Sequence, residues 1–290
     1  MSEKKFWIDA VKAICMIGVY LMHSFAYYNI NGINYGYFVT PFYVNAFFFI
    51  SGYLLYNKLI HCDLIGGGYF ESLKNTCFRL IIPMILFSVL IYIPKVLFHG
   101  GSLNIESFFL NIFGGVSYWF TSSLAVAQIL TQTVAYAIKS KSMWVYVGIT
   151  SLLFILGLYL NNNRIGSEPE DFFPWFYMTG FEYTLIMAIG GLYLVYEQHK
   201  RVFRFGVIFA LLAYIVPLIS SFYTHQNLQM LGLSGQCNVG GLICSIGGVY
   251  LIVALCKKMK RNRMLSYIGQ NSIIYYFLSG VLPASIGSLA

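Results

Sequence analysis

The chain has 290 residues, of which 58% are hydrophobic and only 10% are charged, and its formal net charge is +8. Because soluble domains carry about 25% charged residues, this composition, with a mean hydropathy of +0.70, excludes a water-soluble fold and predicts an integral membrane protein. The six cysteines form no C-x-x-C pair, so neither a disulfide framework nor a metal site is predicted.

Nine apolar stretches are long enough to cross about 30 Å of hydrocarbon. They predict an all-α fold, a polytopic transmembrane bundle of about nine to ten helices. The predicted spans are residues 6–28, 38–57, 80–98, 117–138, 142–160, 176–196, 205–223, 239–256 and 264–282. Because only short loops separate the spans and no internal repeat is evident, residues 1–290 are predicted to form a single domain.

The basic residues predict how the spans are oriented. With a cytoplasmic N-terminus, fifteen of the 18 Lys and Arg residues lie at the N-terminus or near 58–79, 139–141, 197–204 and 257–263, all on the cytoplasmic side. This asymmetry follows the positive-inside rule and predicts a multi-pass protein of the inner (cytoplasmic) membrane. Since the charge is divided among short loops, the expected partner is membrane lipid and not nucleic acid.

The first predicted helix carries three ionisable side chains along one face. Lys12 and His23 are eleven residues apart, so they point the same way about 16 Å apart along the helix axis. Asp9 is three residues before Lys12 and can pair with it. Ionisable groups within a membrane are costly and mark function, and histidine suits proton transfer near neutral pH. We therefore predict His23, Lys12 and Asp9 as catalytic residues. The alternative is an interfacial Asp9–Lys12 ion pair with His23 at the outer helix end.

Several stretches together resemble the acyltransferase-3 family of integral membrane O-acyltransferases. They are WIDAVKAICMIGVYLMHSF followed by PFYVNAFFFISGYLL, then SLKNTCFRLIIPMIL, SYWFTSSLAVAQIL and IGQNSIIYYFLSG. Family members open with a basic residue, ten intervening positions and His, followed by an FF-x-x-SG segment. The resemblance covers roughly the first 130 residues and the last 25. Two features depart from the family pattern: Lys12 stands where Arg is common, and SIGSLA is too short for a tenth span, so the domain is expected to lack a final helix.

The resemblance implies acetyl-CoA as the acyl donor and co-substrate, with no metal. It implies O-acetylation of a hydroxyl on an extracytoplasmic glycan or glycolipid, a form of polysaccharide modification. Lys74 and Arg79 lie where a cytoplasmic donor would dock and are expected to bind its phosphates. The alternative for this basic pair is ordinary positive-inside anchoring of the loop.

Three further residues are expected to bind substrate. Ser51 follows three consecutive phenylalanines and is expected to face the cavity, with core packing as the alternative. Trp119 begins a helix at its outer end, where it would stack on a sugar or simply anchor the interface. Glu182 is a carboxylate within the sixth predicted span and is therefore expected to belong to the site.

Other functions also fit a bundle with a few buried ionisable groups. A transporter would export a polysaccharide intermediate or a small acid through the same cavity. Transporters often show inverted repeats or paired broken helices, and neither is evident in this sequence. A third alternative is a shortened, inactive relative that serves as an interaction subunit. The sequence leaves the oligomeric state, the acceptor and the acyl chain open.

Overall fold

The computed structural model describes residues 5–28, 36–61, 68–98, 105–138, 142–163, 174–197, 199–224, 237–280 and 282. Throughout these ranges the regular secondary structure is helical, which confirms the all-α prediction. The α-helices are α1 (Phe6–Tyr28), α2 (Gly36–Tyr43), α3 (Asn45–His61), α4 (Gly68–Thr76), α5 (Ile82–Phe98), α6 (Ile105–Ile112), α7 (Trp119–Ala137), α8 (Met143–Asn162), α9 (Tyr177–Tyr196), α10 (Lys200–Thr224), α11 (Val239–Lys258), α12 (Arg263–Gln270) and α13 (Ser272–Leu278).

Six helical segments within the described ranges are long and apolar enough to cross a membrane, so the chain is a multi-pass membrane protein. They are Phe6–Ser24, Phe38–Leu59, Gly68–Pro94, Met143–Asn162, Pro174–Tyr196 and Val239–Lys258. A shorter apolar segment, Phe205–Ser220, lies in α10. The predicted number of nine is approximate, because three predicted spans are not among these six, one of them being the short segment in α10. The last predicted span is divided at Asn271 into α12 and α13, and α7 is rich in Ser, Thr and Gln.

The loop expected before the third predicted span is partly helical, so the helical segment that contains this span begins before residue 80. Helix α4 begins at Gly68 and continues through a π-helical turn, Cys77–Ile81, directly into α5. π-Helical turns inside α-helices are rare and occur frequently at functional sites. Here the turn contains Arg79, one of the predicted donor-binding residues.

Helix α9 lies at the centre of the bundle and packs against α3, α7 and α8. Two glycines allow α3 and α9 to touch through their backbones. A Cβ atom on Gly52 would lie 2.0 Å from the carbonyl oxygen of Met187, and one on Gly190 would lie 2.1 Å from that of Phe49. Only hydrogen fits at either position, which is how small residues bring membrane helices close together.

The break between α12 and α13 lets the end of the described chain enter the bundle. Helix α12 packs on α1, where a Cβ atom on Gly269 would lie 2.0 Å from the carbonyl oxygen of Asp9. The next residue, Gln270, donates a hydrogen bond from Nε2 to Oδ2 of Asp9 at 3.0 Å. After Asn271, α13 carries the buried side chain of Tyr276 towards the interior.

An ion cluster joins the start of α1 to the ends of α9 and α11. The Nζ atoms of Lys5 and Lys257 lie 2.8 and 2.6 Å from the carboxylate of Glu197, and the Tyr53 hydroxyl donates to it at 2.8 Å. Lys257 also lies over the ring of Trp7, 5.3 Å from its centroid. Burial alone would raise the pKa of Glu197, but the hydrogen bonds from Lys257, Lys5 and Tyr53 lower it below its ordinary value of 4.5.

Candidate active site

Two cavities lie among the described residues, and the larger of them, the basic cavity, has a volume of about 480 Å³. This lies within the roughly 300–1,000 Å³ typical of small-molecule sites. Among its described lining residues three are basic and none is acidic, so its charge favours an anionic ligand. The polar lining consists of Lys12, Ser51, Lys58, Ser72, Asn75, Thr76, Arg79, Thr121, Gln128, Gln132, Gln270 and Ser272, together with the hydroxyl-bearing Tyr276.

The smaller cavity, the histidine cavity, has a volume of about 180 Å³. Its lining is mainly apolar and aromatic, with the His23 imidazole as its titratable side chain near neutral pH. Helix α1, the α2–α3 junction, α7 and α13 contribute to it. The lining residues are Val19, Met22, His23, Tyr43, Val44, Phe47, Trp119, Phe120 and Tyr276.

Three aromatic residues, which we call the aromatic wall, line both cavities: Phe47, Phe120 and Tyr276. The ring of Phe120 lies between the other two, with centroid distances of 5.4 Å to Phe47 and 5.0 Å to Tyr276. Such tilted and edge-to-face pairs are favourable aromatic geometries. The basic cavity and the histidine cavity therefore meet at one packed layer of rings.

One face of α1 serves both cavities. Lys12 lines the basic cavity and His23 lines the histidine cavity, and their eleven-residue spacing corresponds to about three helical turns. Asp9 is 6% exposed and accepts the hydrogen bond from Gln270, which itself lines the basic cavity. The structure thus places Asp9 behind the cavity lining, where it holds Gln270 at the α1–α12 contact.

The remaining predicted residues fall into two groups. Ser51 and Arg79 line the basic cavity, and Trp119 lines the histidine cavity. Lys74 is exposed on α4 with its Nζ 5.9 Å from the ring centroid of Phe78. Glu182 is 1% exposed on α9 and accepts a hydrogen bond from Nδ2 of Asn161 on α8. Neither Lys74 nor Glu182 is among the residues that line the two cavities.

Several lining residues were not predicted from the sequence. Gln128 and Gln132 lie four residues apart on α7, and two amides on one face of a membrane helix are a signal that could have identified them. From the sequence, Lys58 is predicted only to be a basic residue on the cytoplasmic side. Phe120 and Tyr276 belong to the aromatic wall, whose members lie far apart in sequence, so no local pattern predicts their contact.

A metal centre has no support in the described part of the chain. There, no group of three or more His, Cys, Asp or Glu side chains is placed so that it could hold a metal ion. The described cavity linings offer imidazole, ammonium, guanidinium, amide and hydroxyl groups.

These features define a polytopic helical membrane protein in which the basic cavity and the histidine cavity meet at a shared wall. The model of the acyltransferase-3 family, described as an acyltransferase domain, matches residues 5–283. The match includes the middle of the chain, where no family motif was identified from the sequence. The chain belongs to this family and is a membrane acyltransferase. No curated protein and no solved structure gave a match.

Proposed function

We propose that this protein is an O-acetyltransferase that moves an acetyl group from cytoplasmic acetyl-CoA to a hydroxyl of an extracytoplasmic glycan or glycolipid. The observation that carries this proposal is the pair of chemically different cavities on the two sides of the aromatic wall. A cavity with basic side chains suits a phosphorylated donor, and a cavity with an imidazole suits an acceptor hydroxyl.

The donor end of the proposal rests on three cations. Lys12, Lys58 and Arg79 all line the basic cavity, and ammonium and guanidinium groups bind phosphate oxygens through charge-assisted hydrogen bonds. The predicted orientation puts the mouth of this cavity on the cytoplasmic side, where acyl-CoA is available. Ser51 and the cavity glutamines add neutral hydrogen-bonding groups for the uncharged part of the donor.

The acceptor end of the proposal rests on His23. Its imidazole removes the proton from the acceptor hydroxyl as the oxygen attacks the thioester carbonyl carbon. When the tetrahedral intermediate collapses, the carbon–sulfur bond breaks and the same proton passes to the thiolate of CoA. Trp119, half-buried in the same cavity, offers an indole face on which a sugar ring can stack.

The aromatic wall has a role in this reaction. The acetyl group must pass Phe47, Phe120 and Tyr276 to meet an acceptor oxygen beside His23. While the wall is closed, it separates the thioester from water in the histidine cavity and so suppresses hydrolysis. The reaction thus needs a wall that opens for the acetyl group when the acceptor is bound.

Mass spectrometry of surface glycans tests the function directly. We compare cells that carry the wild-type gene, the His23→Gln variant or no gene. We expect an added acetyl mass on a glycan in the wild type alone. A gene-dependent change in the amount of surface glycan without any change in its mass would contradict the proposal and favour a transporter.

A further inference from the structure

The basic cavity contains a buried acceptor without a partner. Gln132 on α7 is 1% exposed and lines this cavity. Its Nε2 donates a hydrogen bond to Oγ1 of Thr76 at 2.9 Å. Its Oε1 is buried and has no hydrogen-bond partner in the described part of the chain.

The orientation of the Gln132 amide follows from its neighbour. The Thr76 hydroxyl has one proton, and it donates this proton to the carbonyl oxygen of Ser72 at 3.1 Å. The group that faces Thr76 Oγ1 must therefore be a donor, which is the NH₂ of Gln132. Consequently the carbonyl oxygen of Gln132 is left as the unsatisfied atom.

Buried polar atoms without partners are rare in folded proteins, because such atoms lose their hydrogen bonds to water and gain nothing in return. Gln128 lies one turn away, about 6 Å along α7, and lines the same cavity. The cations of this cavity, Lys12, Lys58 and Arg79, supply donors for phosphate but cannot accept from a ligand N–H group. A ligand held by these cations alone would have its own N–H groups unsatisfied.

We propose that Gln132 is a specificity-determining residue of the donor site, whose Oε1 accepts a hydrogen bond from an N–H group of the acyl donor. This inference rests on the proposed acetyl-CoA donor. Acetyl-CoA carries such groups in two places, the amides of its pantetheine arm and the amine of its adenine. A cavity group built to accept from an N–H discriminates strongly against ligands that lack it.

The first test measures acetyl-CoA binding to the purified full chain by calorimetry. Gln132→Met keeps the side-chain volume and removes the acceptor, so we expect about tenfold weaker binding. Thr133→Val is the matched control, because Thr133 is exposed on the same helix and does not line the cavity; its affinity should equal that of the wild type. An unchanged affinity in Gln132→Met would overturn the inference.

Thermal unfolding without ligand distinguishes a structural role of Gln132 from a role in donor binding. The Met variant loses the buried hydrogen bond to Thr76 but also the buried unsatisfied oxygen, and because these two effects oppose each other, its unfolding temperature should change little. A marked drop in unfolding temperature, with full affinity for acetyl-CoA in the folded fraction, would contradict a role in donor binding.

The second test varies the donor. Acetyl-phosphopantetheine keeps both amides and lacks adenine. If Gln132→Met still binds this probe more weakly than the wild type does, the amides are the hydrogen-bond donors. If the two proteins bind it equally, the donor is the adenine amine. The amides are tested further with two acetyl-CoA analogues, each of which has an ester in place of one amide. If an amide N–H donates to Gln132, the wild type should bind one of these esters about tenfold more weakly than acetyl-CoA. Gln132→Met should bind that ester and acetyl-CoA with equal affinity.

Equal discrimination by the wild type and by Gln132→Met, for every probe, would overturn the inference. The proposed function fails in a different way. If the wild-type chain does not bind acetyl-CoA at all, then the donor assignment is wrong. Binding without any effect of Gln132 refutes only the role of this residue.

Discussion

His23 shares its cavity with aromatic and apolar side chains and lies on the same face of α1 as Lys12. His23→Gln keeps the hydrogen-bonding capacity and similar volume but cannot exchange a proton near neutral pH. We expect acetyl transfer to fall at least about 100-fold, with little change in the unfolding temperature. The readout is transfer from radiolabelled acetyl-CoA to glycan in native membranes. His199→Gln, at an exposed position, should retain full activity, and substantial transfer by His23→Gln would remove His23 from the mechanism.

Arg79 and Lys74 were predicted together, but only Arg79 lines the basic cavity. In the proposed donor site, Arg79→Glu would place a negative charge beside the donor phosphates, so we expect at least a tenfold increase in the KM for acetyl-CoA, the effect of about 1.4 kcal/mol. Lys74→Glu changes the same charge at a position that does not line the cavity, and its effect should be smaller and decline with added salt.

Steady-state kinetics at several salt concentrations test whether Arg79→Glu raises the KM for acetyl-CoA more than Lys74→Glu does. Lys260→Glu, at an exposed position between α11 and α12, controls for the general loss of positive charge. A larger effect at Lys74 than at Arg79 would contradict the assignment of the basic cavity to the donor.

At the scale of elements, the contact between α3 and α9 depends on glycine. Gly52→Ala would bring a Cβ atom to 2.0 Å from the Met187 carbonyl oxygen, and overpacking of this kind costs about 1–3 kcal/mol. We expect a lower unfolding temperature in detergent. Gly148→Ala is the control, since no atom lies within 4 Å of its Cβ position; it should be neutral or stabilising by up to about 1 kcal/mol. Equal effects of both substitutions would refute the close contact.

The ion cluster around Glu197 connects α1, α3, α9 and α11 and gives the fold a pH dependence. Because the pKa of Glu197 is lowered in the folded protein, its stabilising contribution is complete above its ordinary pKa of 4.5 and is lost as the pH falls through the lower folded value. Glu197→Gln should cost about 1–2 kcal/mol at neutral pH and should flatten the acid dependence of unfolding. Glu71→Gln, on the exposed side of α4, should leave the dependence unchanged, and a Glu197→Gln profile parallel to wild type would contradict this role.

Local sequence patterns identify some elements well and others poorly. The ionisable face of α1 follows from helical periodicity, and Lys12 and His23 on this face line the two cavities. The division at Asn271 was missed although residues 270–272 are polar, because the run from 264 to 282 is long enough for one span and the contacts of Gly269 and Gln270 with Asp9 lie far away in sequence. The helical start of α4 was missed because the polar composition of 68–76 is typical of a loop.

For the whole molecule, composition was sufficient to predict a helical membrane bundle, and the family match over residues 5–283 agrees with the motifs in α1 and α3. The aromatic wall could not be predicted, since Phe47, Phe120 and Tyr276 meet only when three separate helices pack together. The wall is nevertheless the feature that divides the interior into a donor side and an acceptor side in the proposed reaction.

The most direct test of this division is the sidedness of acetyl transfer in sealed membrane vesicles. Vesicles of both orientations are prepared from cells that make the acceptor glycan, and radiolabelled acetyl-CoA is added outside, with His23→Gln vesicles as the blank. Inside-out vesicles, which expose the loop near 257–263 if the predicted orientation is correct, should label glycan in their lumen, and right-side-out vesicles should not. Labelling by intact right-side-out vesicles, or equal labelling by His23→Gln vesicles, would contradict transfer from the basic cavity across the aromatic wall to His23.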